Sequence, residues 1–183
     1  MAVYSGSCLC GSVSYKAKGE PRRVFECYCT WCQKNSGGSS RAYAVFDMGK
    51  VTYEGGKVSE FVDTKTEHGF KMTNRFCSKC ASPVEMLVER VPDGQFVPLG
   101  TIDQRQNLNV HEGLWGQEAL PHVAFKDGRE VRKQGCASEL VYKVLLDKAE
   151  HPQHYRHSLN TYDHQFTPHF WHLALCRSSQ AGL

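Results

Sequence analysis

The sequence predicts a mainly β protein with one short helix and an irregular C-terminal tail. Short apolar or alternating segments recur at intervals of about ten residues, and turns rich in glycine or proline separate them. Hydrophobic residues make up 40% of the 183 residues and charged residues 22%, so the chain has enough apolar material for a core. This composition favours a packed β domain over a disordered chain.

The predicted strands begin at the N-terminus with a hairpin. Residues 1–20 place a tight turn at Cys8–Gly11 before Ser12–Ala17, which alternates like a half-buried strand. Turn signals such as Gly55-Gly56 and Pro92-Asp93-Gly94 punctuate the rest of the chain. The later strand-like segments are, in chain order, 21–26, 41–46, 51–53, 58–61, 70–72, 73–76 and 83–89.

The C-terminal part of the chain differs in composition. One helix is predicted near Ala137–Ala149, where Leu140 and Val144 share a face. From about His151 the aliphatic residues become few, and six of the nine histidines follow. Residues 151–183 are therefore expected to form a poorly packed tail, or one that folds back over the domain.

Charge and hydropathy narrow the class of protein. The 22 Lys and Arg residues nearly balance the 19 Asp and Glu residues, for a net charge of +3 without long blocks, which disfavours a dedicated nucleic-acid binder. No apolar run approaches the roughly 18 residues of a membrane-spanning helix, and the N-terminus lacks the pattern of a signal peptide. We therefore expect a soluble protein of the cytoplasm, with the nucleus as the alternative compartment, and no membrane partner.

The cysteines carry the clearest functional signal. A cysteine-rich chain without a secretion signal more often binds metal than forms disulfides, and thiolates at Cys-x-x-Cys spacing reach one zinc ion from a tight turn. Seven thiolates cannot fill two four-coordinate sites, so they divide into four plus three, and a three-thiolate zinc keeps a position for water or substrate. We expect two zinc ions per chain. The seven cysteines that lie in the first 80 residues are Cys8, Cys10, Cys27, Cys29, Cys32, Cys77 and Cys80.

Spacing alone leaves two groupings of these cysteines open. The first joins the two Cys-x-x-Cys pairs at the four-thiolate ion: Cys29, Cys32, Cys77 and Cys80. The second joins the N-terminal Cys-x-Cys pair to the last Cys-x-x-Cys pair: Cys8, Cys10, Cys77 and Cys80. Only the second keeps the three remaining ligands on one short loop: Cys27, Cys29 and Cys32.

Four segments resemble the family of the glutathione-dependent formaldehyde-activating enzymes and centromere protein V. They are Gly6–Val13, Cys27–Lys34, Arg75–Ser82 and Leu99–Asp103. With a looser match from Val110 to His122, the resemblance covers about residues 3–125, and seven cysteines in the right order make it specific. It implies a β-tent fold, built mainly of antiparallel strands around two zinc ions.

The resemblance also divides the chain and assigns roles to the cysteines. It implies a zinc-binding domain over residues 3–126, followed by a C-terminal extension over residues 127–183 that has no family match. It selects the second grouping, with a structural zinc at the four-cysteine site. It implies an active-site-like zinc with a catalytic role at the other three: Cys27, Cys29 and Cys32.

The resemblance implies a reaction as well. Glutathione would be the thiol, and formaldehyde or another small electrophile would be its reaction partner. The reaction would be the addition of the thiol to the electrophile, which is the reverse of the cleavage that a carbon–sulfur lyase is named for. The alternatives are a non-enzymatic zinc-binding interaction module and a redox sensor that forms a disulfide after metal loss. The oligomeric state is left open.

Two charged residues and two departures from the family pattern bear on this site. Glutathione has two carboxylates, so Lys34 and Arg75, each close in sequence to a cysteine cluster, are candidates for binding it. The family usually has histidine where this chain has Tyr28, a change that could alter the polarity of the site. It usually has glycine where this chain has Ala81, which requires a backbone compatible with a Cβ atom.

Overall fold

The structure is a computed structural model that describes residues 2–125 and 129–135. The helix predicted near residues 137–149 and the tail predicted over residues 151–183 lie outside the described residues. Within the described part, no helix has the length and apolar character needed to span a bilayer. One α-helix, α1, covers Thr30–Ser36. The strands are β1 (Val3–Ser7), β2 (Val13–Lys18), β3 (Arg23–Cys27), β4 (Arg41–Asp47), β5 (Val51–Gly55), β6 (Val58–Asp63), β7 (Met72–Cys77), β8 (Pro83–Val88), β9 (Gly94–Pro98), β10 (Glu112–Leu114) and β11 (Glu130–Val131).

The strands form two sheets, and the mainly β prediction is confirmed. The smaller sheet has the order β1-β2-β5, and all of its pairs are antiparallel. Its hairpin β1–β2 is the one that the N-terminal residues predict, and β2 alternates strictly between buried and exposed side chains. The larger sheet has the order β11-β10-β3-β4-β9-β8-β7-β6.

One part of the larger sheet departs from the antiparallel arrangement. Strand β10 runs parallel to both of its neighbours, β3 and β11. Parallel neighbours cannot be joined by a tight turn and need a longer connection. After β9 the chain forms two short 3-10 helices, Leu99–Thr101 and Arg105–Asn107, and then enters β10 beside β3. Strand β11 belongs to the predicted C-terminal extension and pairs with this sheet.

The helix α1 was not predicted from the sequence. It has seven residues, and threonine, asparagine and serine among them have low helix propensity. Local capping compensates for this composition: the Cys29 side chain accepts a hydrogen bond from the backbone N–H of Cys32, and Gly37 ends the helix in the left-handed conformation with φ of 68°.

Hydrophobic clusters contain all three cysteines of one group and two of the four cysteines of the other. One cluster surrounds Cys27, Cys29 and Cys32 on one face of the larger sheet. Another contains Cys8 and Cys77, where the turn of the β1–β2 hairpin meets the larger sheet. The fold thus buries all three thiols of the three-cysteine group, whereas in the four-cysteine group it buries Cys8 and Cys77 and leaves Cys10 exposed.

Candidate metal centres and their cavity

The first group of thiols comes from two turns that are far apart in the sequence. Cys8 and Cys10 lie in the β1–β2 turn, and Cys77 and Cys80 lie around the β7–β8 turn. The four sulfur atoms all lie within 4.8 Å of one another. Cys10 Sγ is 3.5 Å from Cys8 Sγ and 3.9 Å from Cys77 Sγ. In a tetrahedral zinc–thiolate site the sulfurs are roughly 3.8 Å apart, so these four fit such an ion.

Backbone N–H groups in both turns point at the sulfur atoms. Val13 donates to Cys8 Sγ at 3.3 Å, and Lys79 donates to Cys77 Sγ at 3.4 Å. The hydroxyl of Ser82, 3.3 Å from Cys80 Sγ, together with the backbone of Ser82 and of Cys10, lowers the pKa of that thiol to about 5. At Cys8 and Cys80 such contacts favour the thiolate form that a metal requires.

The second turn contains one of the two departures from the family pattern. Ala81 follows Cys80 with φ of 58°, in the left-handed region, and its N–H donates to the Cys77 carbonyl at 2.8 Å. A Cβ atom in this conformation clashes with the neighbouring backbone, which glycine avoids. The alanine is accommodated, and the position is strained.

The second group of thiols lies on one short stretch of chain. Cys27 ends β3, Cys29 caps α1 and Cys32 lies in its first turn. All three side chains are buried, with 6%, 2% and 2% of their surface exposed, and the three sulfur atoms lie within 4.8 Å of one another. Within the described residues, no fourth His, Cys, Asp or Glu belongs to this group. Three sulfur donors suit a soft or borderline ion such as zinc.

The proximity of these three thiols separates their pKa values. Contact with Cys27 and then Cys32 holds the pKa of Cys29 well below its usual value. Contact with Cys29 and then Cys32, together with burial, raises the pKa of Cys27. The contact with Cys27 lowers the pKa of Cys32. The contact with Cys29 and burial have a larger, opposite effect, and together they raise the pKa of Cys32 to about 12. Ionisation of Cys27 and Cys32 is thus disfavoured, and a bound divalent cation would favour the thiolate form of all three thiols.

A second layer of hydrogen bonds holds the helix that carries Cys32. The Glu118 carboxylate accepts from the Thr30 backbone N–H at 2.6 Å and from the Thr30 hydroxyl at 2.8 Å. Gln33 Nε2 donates to the carbonyls of Tyr28 at 2.6 Å and Glu118 at 2.9 Å. These bonds tie α1 to the 3-10 helix Gly116–Glu118, so the spacing of the thiols depends on a segment distant in sequence.

A cavity of about 870 Å³ opens onto the three-cysteine group, and all three cysteines line it. Trp115 forms part of its wall with φ of 61°, a left-handed conformation that is rare for a large side chain. The His68 ring packs against Trp115 with ring centroids 4.6 Å apart, and contact with Cys29 raises the pKa of His68. Backbone strain beside a ligand-sized cavity is typical of a functional site.

The structure separates Lys34 and Arg75 from this cavity. Lys34 is exposed on α1 and does not line it. Arg75 lies on β7 and is ion-paired with Glu60 at 2.6 Å and with the buried Glu85 at 2.8 Å. Contact of either residue with glutathione stays a prediction.

The second departure from the family pattern also lies away from the cavity lining. The Tyr28 hydroxyl donates to Glu26 at 2.9 Å, and its ring packs edge-on against Phe125 with centroids 5.2 Å apart. Tyr28 is not among the residues that line the cavity. Its exchange for histidine would therefore act on the polarity of the loop behind the thiols.

Several residues of the site escaped sequence reasoning. His68, Trp115, Arg23 and Arg90 line the cavity, yet none lies within a cysteine motif. His68 is in the loop between β6 and β7, and Trp115 follows β10. The only sequence signal is their residue type, because strand order rather than spacing brings them to the thiols.

The fold and the site define a class of protein: a mainly β domain with two groups of thiols that could each hold a metal ion, one of which faces a ligand-sized cavity. The sequence profile of the family described as glutathione-dependent formaldehyde-activating enzyme matches residues 3–118. This match covers more than half of the chain, and the chain belongs to that family, as the resemblance predicted. A solved Rhodobacter sphaeroides protein is similar over 58% of this chain and 96% of its own, with 17% identity and a TM-score of 0.45. No match was found among curated proteins.

Proposed function

We propose that the protein is a zinc-dependent carbon–sulfur lyase of the S-(hydroxymethyl)glutathione synthase type. It adds glutathione or a related thiol to formaldehyde or another small electrophile, and it holds two zinc ions per chain. The observation that carries this proposal is the group of three buried thiols at the wall of a cavity large enough for a substrate. Membership of the family supports the choice of a thiol and an aldehyde as reactants.

The two thiol groups have different roles in this proposal. The four-cysteine site is structural, because it joins a turn of the smaller sheet to a turn of the larger one and none of its cysteines lines the cavity described above. The three-cysteine site is catalytic, because its sulfurs face the cavity and leave a ligand position for the incoming thiol.

A zinc ion held by Cys27, Cys29 and Cys32 would lower the pKa of an incoming thiol and so make thiolate available at neutral pH. The sulfur of that thiolate adds to the carbonyl carbon, and a carbon–sulfur bond forms. The π electron pair of the carbonyl moves to its oxygen, which takes up the proton that the thiol released. Nothing is oxidised or reduced. Three thiolates make zinc a weaker Lewis acid than histidine ligands do, so thiol capture is favoured over carbonyl polarisation.

The residues of this chain orient the reactants. Cys27, Cys29 and Cys32 hold the ion, and the bonds of Glu118 to Thr30 fix the helix that carries Cys32. The lining includes the exposed Arg90, whose guanidinium group suits a carboxylate of glutathione, and Arg23, whose guanidinium is ion-paired with Glu112. Lys34 and Arg75 are the other candidates for this role.

The experiment combines titration calorimetry with a rate measurement. Zinc-loaded protein is titrated with glutathione, and exchange between free formaldehyde and the adduct is followed by NMR with and without protein. We expect measurable binding and exchange faster than the uncatalysed reaction, and we expect Cys29→Ser to lose both. No heat at millimolar glutathione and no acceleration would contradict the proposal and favour the non-enzymatic interaction module.

A further inference from the structure

The cavity beside the three-cysteine group has a predominantly apolar interior. Six of its lining residues are both apolar and buried, and they come from five different strands of the larger sheet. Glu67 and Arg90 are the exposed charged residues of the lining, so they mark its mouth. The six buried apolar residues are Phe25, Met72, Met86, Val88, Phe96 and Leu114.

Neither glutathione nor formaldehyde matches this interior. Glutathione carries two carboxylates and an ammonium group, and burying such charges against apolar side chains without partners costs several kcal/mol. Its charges therefore suit the mouth, near Arg90. Formaldehyde has one carbon and no apolar group, so it would leave most of the 870 Å³ unfilled. Ligand pockets of about 300–1,000 Å³ usually hold molecules of drug or cofactor size, which are much larger than formaldehyde.

We infer that the electrophile of this site is an aldehyde with an apolar substituent, an alkyl chain or an aryl group, that fills the cavity behind the reacting carbon. The inference rests on the proposed function, because it assumes that a thiol is added at the three-cysteine site. The chemistry is the same addition: the carbon–sulfur bond forms, the carbonyl π pair goes to oxygen, and oxygen takes the proton of the thiol. The substituent contributes binding free energy and takes no part in bond making.

A series of straight-chain aldehydes isolates the contribution of the apolar substituent. Propanal, pentanal and heptanal have nearly equal carbonyl reactivity and differ by two methylene groups at each step. Burial of one methylene is worth about fourfold in affinity, so two methylenes give about 15-fold in kcat/KM at each step. We expect this rise for the zinc-loaded full chain at fixed glutathione, after subtraction of the uncatalysed rate.

A matched pair of variants places the effect in the cavity. Met86 and Val88 line it from β8, whereas Leu87, between them, points to the other face of the strand and is absent from the lining. Val88→Phe narrows the cavity from β8, and we expect the ratio of heptanal to propanal kcat/KM to fall at least tenfold. Leu87→Phe adds the same ring outside the cavity, and we expect that ratio to stay as in the wild type.

The outcomes distinguish this inference from the proposed function. Addition to formaldehyde with a flat or falling response to chain length overturns the inference and leaves the proposed function standing. Failure with every aldehyde overturns both. An equal loss for heptanal and propanal in Val88→Phe contradicts the placement in the cavity and so overturns the inference. If Val88→Phe does not fold, the wild-type series decides alone.

Discussion

Ala81 stores backbone strain in the turn that carries Cys77 and Cys80. A φ of 58° destabilises an alanine by about 1–2 kcal/mol. Glycine at this position would avoid the strain, but it would lose more conformational entropy on folding, so only part of that free energy would be regained. We expect Ala81→Gly to raise the free energy of unfolding by about 1 kcal/mol in denaturant titrations of the metal-loaded protein. Gly37→Ala is the matched control, because Gly37 has φ of 68° at the end of α1 and should lose about as much. A less stable Ala81→Gly would contradict this account of the turn.

Substitution of Arg75 distinguishes a structural role of this residue from a role in binding the substrate. It is the cation that neutralises Glu85, which is 0% exposed and also accepts from Gln95 Nε2 at 2.6 Å. Removing one partner of a buried pair leaves a charge without compensation. We expect Arg75→Met to lower the free energy of unfolding by about 2 kcal/mol, a reduced value because Arg75 itself is partly exposed to water.

Two further variants sharpen this test. Glu85→Gln in the Arg75→Met background should recover part of the lost stability, because the unpaired charge is gone. Lys34→Met, on the exposed face of α1, should leave stability unchanged. A raised KM for glutathione with unchanged stability in Arg75→Met would instead support the substrate-binding role.

At the scale of elements, the helix α1 depends on a carboxylate from a different segment. Glu118→Ala removes both of its bonds to Thr30 and so loosens the helix that carries Cys32. Loss of such an outer contact typically weakens metal binding by about 10- to 100-fold. We expect at least tenfold weaker binding of the more easily released zinc ion, measured by competition with a chromophoric chelator.

The neighbouring residue provides the control for this helix prediction. Gln117 is exposed in the same 3-10 helix, and Gln117→Ala should leave both zinc affinities as in the wild type. Equal weakening by Gln117→Ala and Glu118→Ala would show a general disturbance of the segment. Unchanged zinc binding in Glu118→Ala would contradict its role in holding the helix.

Elements whose signal is local could be predicted from the sequence, and those that depend on distant partners could not. The β1–β2 hairpin follows from the alternation in Ser12–Ala17, because one face of that strand is buried. The helix α1 owes its existence to caps from Cys29 and Glu118, and its composition contains little helical signal. The strands β10 and β11 have only three and two residues, too few to show an alternating pattern in the sequence. They are recognised as strands only by their parallel pairing with their neighbours in the sheet.

At the scale of the whole molecule, the same distinction applies to the site. Cysteine spacing and order pointed to two metal-binding groups, because thiolates at short spacing reach one ion from a turn. The cavity is different, since residues such as Phe25, Met86 and Phe96 meet only through the order of strands in the larger sheet. Its apolar character therefore became visible only in three dimensions.

The position of the two thiol groups predicts different consequences for their loss. Cys77 belongs to the group that joins the two sheets, where a bound zinc ion would supply folding free energy on the order of 10 kcal/mol. Cys29 belongs to a local loop. We expect Cys77→Ser to unfold or aggregate the domain and Cys29→Ser to keep its fold, as measured by circular dichroism and thermal melts. Equal damage by both substitutions would refute this division of roles.

The central claim is that seven thiolates hold two ions, four at one and three at the other. Metal analysis and zinc X-ray absorption of the protein as purified test it most directly. The account predicts two zinc ions per chain, sulfur neighbours at about 2.3 Å, and one light-atom ligand for every seven sulfurs. A single zinc ion per chain, or nitrogen and oxygen ligands in place of the sulfurs, would contradict it.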